Sequence, residues 1–243
     1  MSTLHPTLRP TLHTNRRQPL QWLLASLLAT GLMACGGGDS PGPSMGVNAD
    51  GVSTFSASAL NATLSSYPLQ TLSVAESDGL VYMREEEELA HAVYVASAAR
   101  WTTVPVFANI AASESTHTAA VKTLLDRYQL ADPLAGLPLG SFQAPLFQTL
   151  YAQLTAASEV SLVEALKVGV QIEELDINDI AARQASVDNA DILLVYDNLL
   201  RGSRNHLRAY MKVLVQQGGS YTPQYISQAT FDAIVNSPME QGR

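Results

Sequence analysis

Four long stretches of this sequence carry apolar residues at alternating steps of three and four, and each stripe is interrupted near its middle by polar or ionisable groups. That stepping keeps residues on one face of an α-helix, the face a helical bundle buries. Residues 74–99 give Leu80, Met83, Glu87, Ala90 and Tyr94; residues 104–129 give Phe107, Ile110, Glu114, His117, Val121, Leu124 and Tyr128. Residues 161–184 give Leu162, Leu166, Gly169, Glu173, Asp176 and Ile180, and residues 188–217 give Ile192, Tyr196, Leu199, Ser203, His206, Tyr210 and Leu214. The pattern predicts an all-α protein, a four-helix bundle with a polar layer across its middle.

A lone buried carboxylate is strongly unfavourable even after the protein relaxes around it. Four helices that place polar groups at one depth call for a compensating charge, and a metal cation supplies it. Carboxylates and imidazoles are suitable ligands for iron, manganese or zinc. Glu114 and His117 are spaced Glu-x-x-His, which sets both on one helix face. Each feature alone has an ordinary reading. Glu85 to Glu88 reads as a solvated acidic face, His206 as a hydrogen-bonded core histidine, and Asn205 and Arg208 as surface residues. The coincidence of four stripes is what points to metal.

Breakers separate the segments. Pro105 opens the second, Asp132-Pro133 and Gly136 to Gly140 follow it, and Gly218-Gly219 end the fourth. Shorter helices are expected at 142–157 and 227–236. Ser161 followed by Glu164 has the spacing of a capping box for the third long helix.

The first 34 residues read as an export signal. Arg16 and Arg17 precede an apolar run, Leu20 to Ala34, that is short for a membrane span. It leads into Leu32-Met33-Ala34-Cys35, the arrangement of a bacterial lipobox, with Cys35 as the lipidated residue; a twin-arginine signal is a weaker alternative. Cys35 is the only cysteine, so no disulfide within the chain is possible. Residues 36 to about 70 are rich in Gly, Ser, Pro, Asn and Ala, the composition of a flexible tether. A helical domain over 71–243 follows. Removal of residues 1–34 takes away three of 14 basic residues and none of 22 acidic ones, leaving a formal charge of −11. That balance argues against a nucleic-acid partner, which requires clustered Lys and Arg.

From about Leu80 to Ile234 the chain is similar to ferritin-like proteins of the DUF2202 group, whose fold is related to rubrerythrins and ferritins. The resemblance rests on four blocks in order: Met83 to Ala90 (MREEEELA), Phe107 to His117 (FANIAASESTH), Val168 to Ile177 (VGVQIEELDI) and Gly202 to Tyr210 (GSRNHLRAY). Ferritin-like di-metal sites take one Glu from each of two helices and Glu-x-x-His from each of the other two. Carried over residue by residue, the resemblance implies a metal site of Glu87, Glu114, His117, Glu173 and His206, with Ala90 and Tyr94 beside Glu87. The fourth helix departs from the pattern: Ser203 stands where a second bridging Glu belongs. Asp176 is the candidate replacement, and the site is expected to hold one or two iron or manganese ions. Glu88-x-x-His91 is a lower-ranked pair, turned about 100° from Glu87 around the helix.

The expected function is a lipid-anchored metal-binding protein, with oxygen- or peroxide-linked redox activity left open. Its alternative is a metal-free helical bundle serving as a structural or interaction module of the cell envelope. The expected location is outside the cytoplasm, on the outer membrane facing the periplasm, with Gly36 rather than Asp after the cysteine. The membrane, through the lipid, and the metal ion are the expected partners, and a homodimer is left open.

Overall fold

The computed structural model describes residues 45–47 and 53–241; the expected export signal and lipobox Cys35 lie outside the described residues. Strands β1 (Met45–Val47) and β2 (Ser53–Phe55) pair antiparallel, Met45 opposite Phe55. Seven helices follow: α1 (Ala57–Ser65), α2 (Val74–Arg100), α3 (Pro105–Arg127), α4 (Pro145–Val160), α5 (Leu162–Gln184), α6 (Ala190–Gln216) and α7 (Gln228–Val235). The four long helices expected from the stripes are α2, α3, α5 and α6, each within a few residues of its predicted bounds.

Local chemistry sets the helix starts. Ser73 and Glu76 close a reciprocal capping box on α2, and the second Glu76 oxygen accepts the N–H groups of Asp188 and Asn189 at the start of α6. Pro105 and Pro145 occupy the first turns of α3 and α4, where no intrahelical donor is lost. Buried Glu85 accepts from the N–H groups of Gln143 and Ala144, just ahead of α4. Ser161 caps α5 through the Glu164 N–H, but the Glu164 side chain pairs with Lys167 instead of completing a box.

Helix α2 packs along α3, and α5 along α6; α2 also meets α5, and α3 meets α6, so the four close into a bundle. Helix α4 covers the α2 and α5 side, and α7 lies on α6. The core divides into two apolar clusters. One gathers Val93, Tyr94, Phe107, Ile110, Leu166 and Tyr210; the other gathers Leu80, Met83, Val121, Leu124, Ile180 and Leu199. On the buried stripes, Glu87, Glu114, His117, Glu173 and His206 are enclosed with these two clusters away from water. No helix among the described residues is long and apolar enough to cross a membrane.

The tether expected over 36–70 needs correction in its second half. Ser56 caps α1 by accepting the Ala59 N–H, and Leu60 and Leu64, one turn apart, are buried in the second cluster. Composition averaged over 36–70 hid this pair of apolar anchors, because polar and small residues surround them.

Candidate metal centre

Between the two clusters, one α3 and one α6 imidazole meet on a single α3 carboxylate. Glu114 Oε2 lies 2.9 Å from His117 Nδ1, and Glu114 Oε1 lies 2.6 Å from His206 Nδ1. The outer flanks are symmetrical: His117 Nδ1 is 3.3 Å from Glu87 Oε2 on α2, and His206 Nδ1 is 3.4 Å from Glu173 Oε2 on α5. The imidazole rings stack with centroids 5.3 Å apart. All five residues are at most 1% exposed. Among the described residues, Glu114, His117 and His206 are the one trio of potential ligands whose donor atoms all fall within 4.8 Å of one another.

Several of these inward atoms lack hydrogen bonds. Glu114 Oε1, His206 Nδ1, Glu173 Oε2 and both Glu87 oxygens have no partner with hydrogen-bond geometry. Buried polar atoms that converge without well-formed hydrogen bonds are costly unless a cation shares them. The set divides naturally in two: Glu87, His117 and Glu114 Oε2 on one side, Glu173, His206 and Glu114 Oε1 on the other. The residues present fit one or two divalent ions, which Glu87, Glu114, His117, Glu173 and His206 would hold.

Proton affinities bear the same stamp. Burial raises Glu87 to about 7 against the pull of His117, and burial likewise raises Glu173 against His206. Glu114 goes the other way: despite its burial, the two imidazoles hold it well below the usual carboxylate range. Burial opposes charge on the histidines, but Glu173 and Glu114 lift His206 to about 9, and Glu114 and Glu87 lift His117 further above its ordinary value.

The far side of each imidazole is tied to a serine. His117 Nε2 is 2.9 Å from Ser53 Oγ, and His206 Nε2 is 2.8 Å from Ser113 Oγ, which also accepts the Ser53 N–H at 2.8 Å. In the metal-free chain each Nδ1 proton faces a carboxylate; with Nε2 donating outward to serine, loss of that proton would leave the Nδ1 lone pair free for an ion, the orientation a metal ligand requires. Gly202 makes room for this: a Cβ there would collide with the His117 ring. On the opposite flank the Tyr94 hydroxyl donates to Glu173 Oε1 at 2.7 Å, and the Tyr94 ring packs on Tyr210 with centroids 5.1 Å apart.

The structure thus brings Glu87, Glu114, His117, Glu173 and His206 together. Asp176 is buried beside Glu86 and Glu87 but touches neither histidine, and burial with those neighbours raises its pKa well above the ordinary value. Ser203 donates into its own helix, to the Leu199 carbonyl. Glu88 and His91 sit apart, partly exposed, with Glu88 bound to Thr118. Sequence reasoning missed Ser53, which lay in the presumed tether, and Ser113, whose serine type carries no metal signal. It also took Glu85 and Glu86 for a solvated face, yet both are buried because α2 has neighbours on three sides. Asn205 and Arg208, read as surface residues, are buried too, holding Glu240 and Ser237 of the C-terminal segment.

Residues 76–238 match the family described as an uncharacterized protein domain, DUF2202. The chain is also similar to the uncharacterized protein MJ0754 of Methanocaldococcus jannaschii, 46% identical over 179 residues, spanning 74% of this chain and 96% of that one. The crystal structure of that hypothetical protein superposes with a TM-score of 0.69 over 71% of this chain and 98% of its own. On the extent of the family match and the identity to this relative, the chain belongs to the DUF2202 family.

Proposed function

We propose that this is a lipid-anchored, ferritin-like protein that binds a mono- or dinuclear metal centre, iron or manganese. One observation carries the reading: two imidazole Nδ1 atoms from different helices face opposite oxygens of Glu114, each flanked by a further carboxylate, in a layer sealed by apolar residues. Glu87, Glu114 and His117 would hold one ion; Glu114, Glu173 and His206 would hold the other. A redox-active ion there would supply electron transfer to oxygen or peroxide. The chain's own contribution is to hold ligands through Ser53 and Ser113, exclude bulk water, and place the Tyr94 hydroxyl on Glu173. The Cys35 lipid would tether the domain to the outer membrane on its periplasmic side.

A second reading, a metal-free structural or interaction module, has its own support. Ser203 leaves α6 without the second bridging carboxylate, and Glu114 can be neutralised by two protonated imidazoles. Metal content separates the two. The full chain purified without added metal is expected to carry iron or manganese by inductively coupled plasma mass spectrometry. Glu114→Ala and His117→Ala should lose most of it, and His91→Ala should keep it. Metal-free wild-type protein that also fails to take up Fe(II) or Mn(II) would establish the second reading.

A further inference from the structure

Two fully buried carboxylates stand outside the paired ligand set, Glu86 on α2 and Asp176 on α5. Each is 1% exposed, and no oxygen of either meets a donor. Helices α2 and α5 pack together, and each carboxyl lies within the other's electrostatic reach. Helix steps of three and four carry the seam outward, from Glu86 to Tyr82 and Asp78 on α2 and from Asp176 to Asp179 and Arg183 on α5. The Glu86 carboxyl lies against that of Asp179, whose Oδ2 accepts the Tyr82 hydroxyl at 2.9 Å. Asp179 in turn lines a surface pocket of about 350 Å³ together with exposed Asp78 and with Arg183. Carboxylates therefore succeed one another along α2 and α5, from Asp78 and Asp179 at the surface to Glu86 and Asp176, one residue from Glu87 and one turn from Glu173.

We propose that Glu86 and Asp176 form a transit path along which a divalent cation moves from the Asp78 and Asp179 pocket to the Glu114 centre, an inference that rests on the metal-centre reading above. Unpartnered carboxylates at this depth are unfavourable for folding alone, and a passing cation is the ligand their charge fits. They do not make a second resident site: the one compact trio of donor atoms among the described residues is Glu114, His117 and His206. Sparse coordination suits passage, since an ion must bind well enough to enter and weakly enough to leave. Arg183 stands at the mouth, its guanidinium 3.7 Å over the Tyr82 ring and its Nε unpartnered. It opposes cation entry and lends the empty path a counter-charge.

Metal loading kinetics test the path. The full chain, stripped with chelator, is mixed with Co(II) in a stopped-flow instrument, and the visible Co(II) absorption gives both the rate and the final stoichiometry. Glu86→Gln keeps the side-chain shape and removes its charge; Asp179→Asn does the same nearer the surface. Both should slow loading, Glu86→Gln on the order of tenfold, while leaving plateau and spectrum at wild-type values. Arg183→Gln should load as fast as wild type or faster. Wild-type rates in both carboxamide variants would overturn the path. A lowered plateau or altered spectrum in Glu86→Gln would also overturn it, by making Glu86 a ligand. Wild-type protein that takes up no Co(II) would instead remove the metal-centre reading on which the path depends.

Discussion

Raising the pH should weaken the metal-free chain and strengthen the metal-loaded one. In the metal-free protein, burial lifts Glu87 from 4.5 to about 7. A carboxyl raised in the folded state favours folding while protonated, so its contribution falls as the pH climbs from 4.5 through 7. Glu173 and Glu114 lift His206 from 6.5 to about 9 against the opposing effect of burial. The stability it contributes is complete below 6.5 and disappears as the pH passes 9. At roughly 1.4 kcal/mol for each tenfold change in proton affinity, each group is worth about 3–4 kcal/mol. Both face Glu114 and titrate as one coupled set, so the two losses do not simply add. Against a typical fold stability of about 5–15 kcal/mol, the loss of even one is large. Metal reverses the slope, because the ligands must shed protons to bind it and occupancy therefore rises with pH. Anaerobic urea unfolding between pH 5 and 8.5, with chelator or with excess Mn(II), measures both. The midpoint should fall with rising pH in chelator and rise in Mn(II). A chelated chain that gains stability over this interval, or a midpoint indifferent to Mn(II) at pH 8.5, would refute the reasoning.

Other perturbations have definite expected outcomes. Ser113→Ala removes the acceptor that holds His206 Nε2 and the Ser53 N–H; isothermal titration should show metal affinity lower by about 10–100-fold with the helical circular dichroism unchanged. Gly202→Ala forces a Cβ into the His117 ring, which should cost about 1–3 kcal/mol in urea unfolding and lower metal content in parallel. Cys35→Ser should leave unprocessed precursor or release soluble protein from the membrane fraction; maturation and membrane fractionation unchanged from wild type would reject the lipobox.

Much of the bundle was legible because burial in a helix leaves a periodic trace. Leu80, Met83, Ala90 and Tyr94, and their counterparts on α3, α5 and α6 apart from half-buried Leu162 and Tyr128 at the ends, form buried faces of the structure. The polar interruptions were legible for the same reason: Glu114 and His117 share the stripe of Phe107 and Leu124, so their depth follows from their neighbours. What escaped was whatever periodicity does not encode. Glu86 lies off the α2 stripe and is buried because α5 packs against the helix from another side, which its own sequence does not announce. Ser53 comes to His117 across 64 positions from a segment whose composition suggests no fold. Asn205 and Arg208 are buried by the C-terminal segment, whose docking depends on Glu240 and the Ile234 carbonyl.

The most direct test of the metal-centre account is anomalous diffraction from crystals of the chain soaked in Mn(II) or anaerobic Fe(II), measured at the metal absorption edge. The account predicts density at the Glu114 carboxylate, one peak beside His117 Nδ1 and Glu87 and, when both positions fill, a second beside His206 Nδ1 and Glu173, at ligand distances of about 2.0–2.2 Å. Anomalous density only at surface carboxylates, with the Glu114, His117 and His206 contacts unchanged, would contradict it.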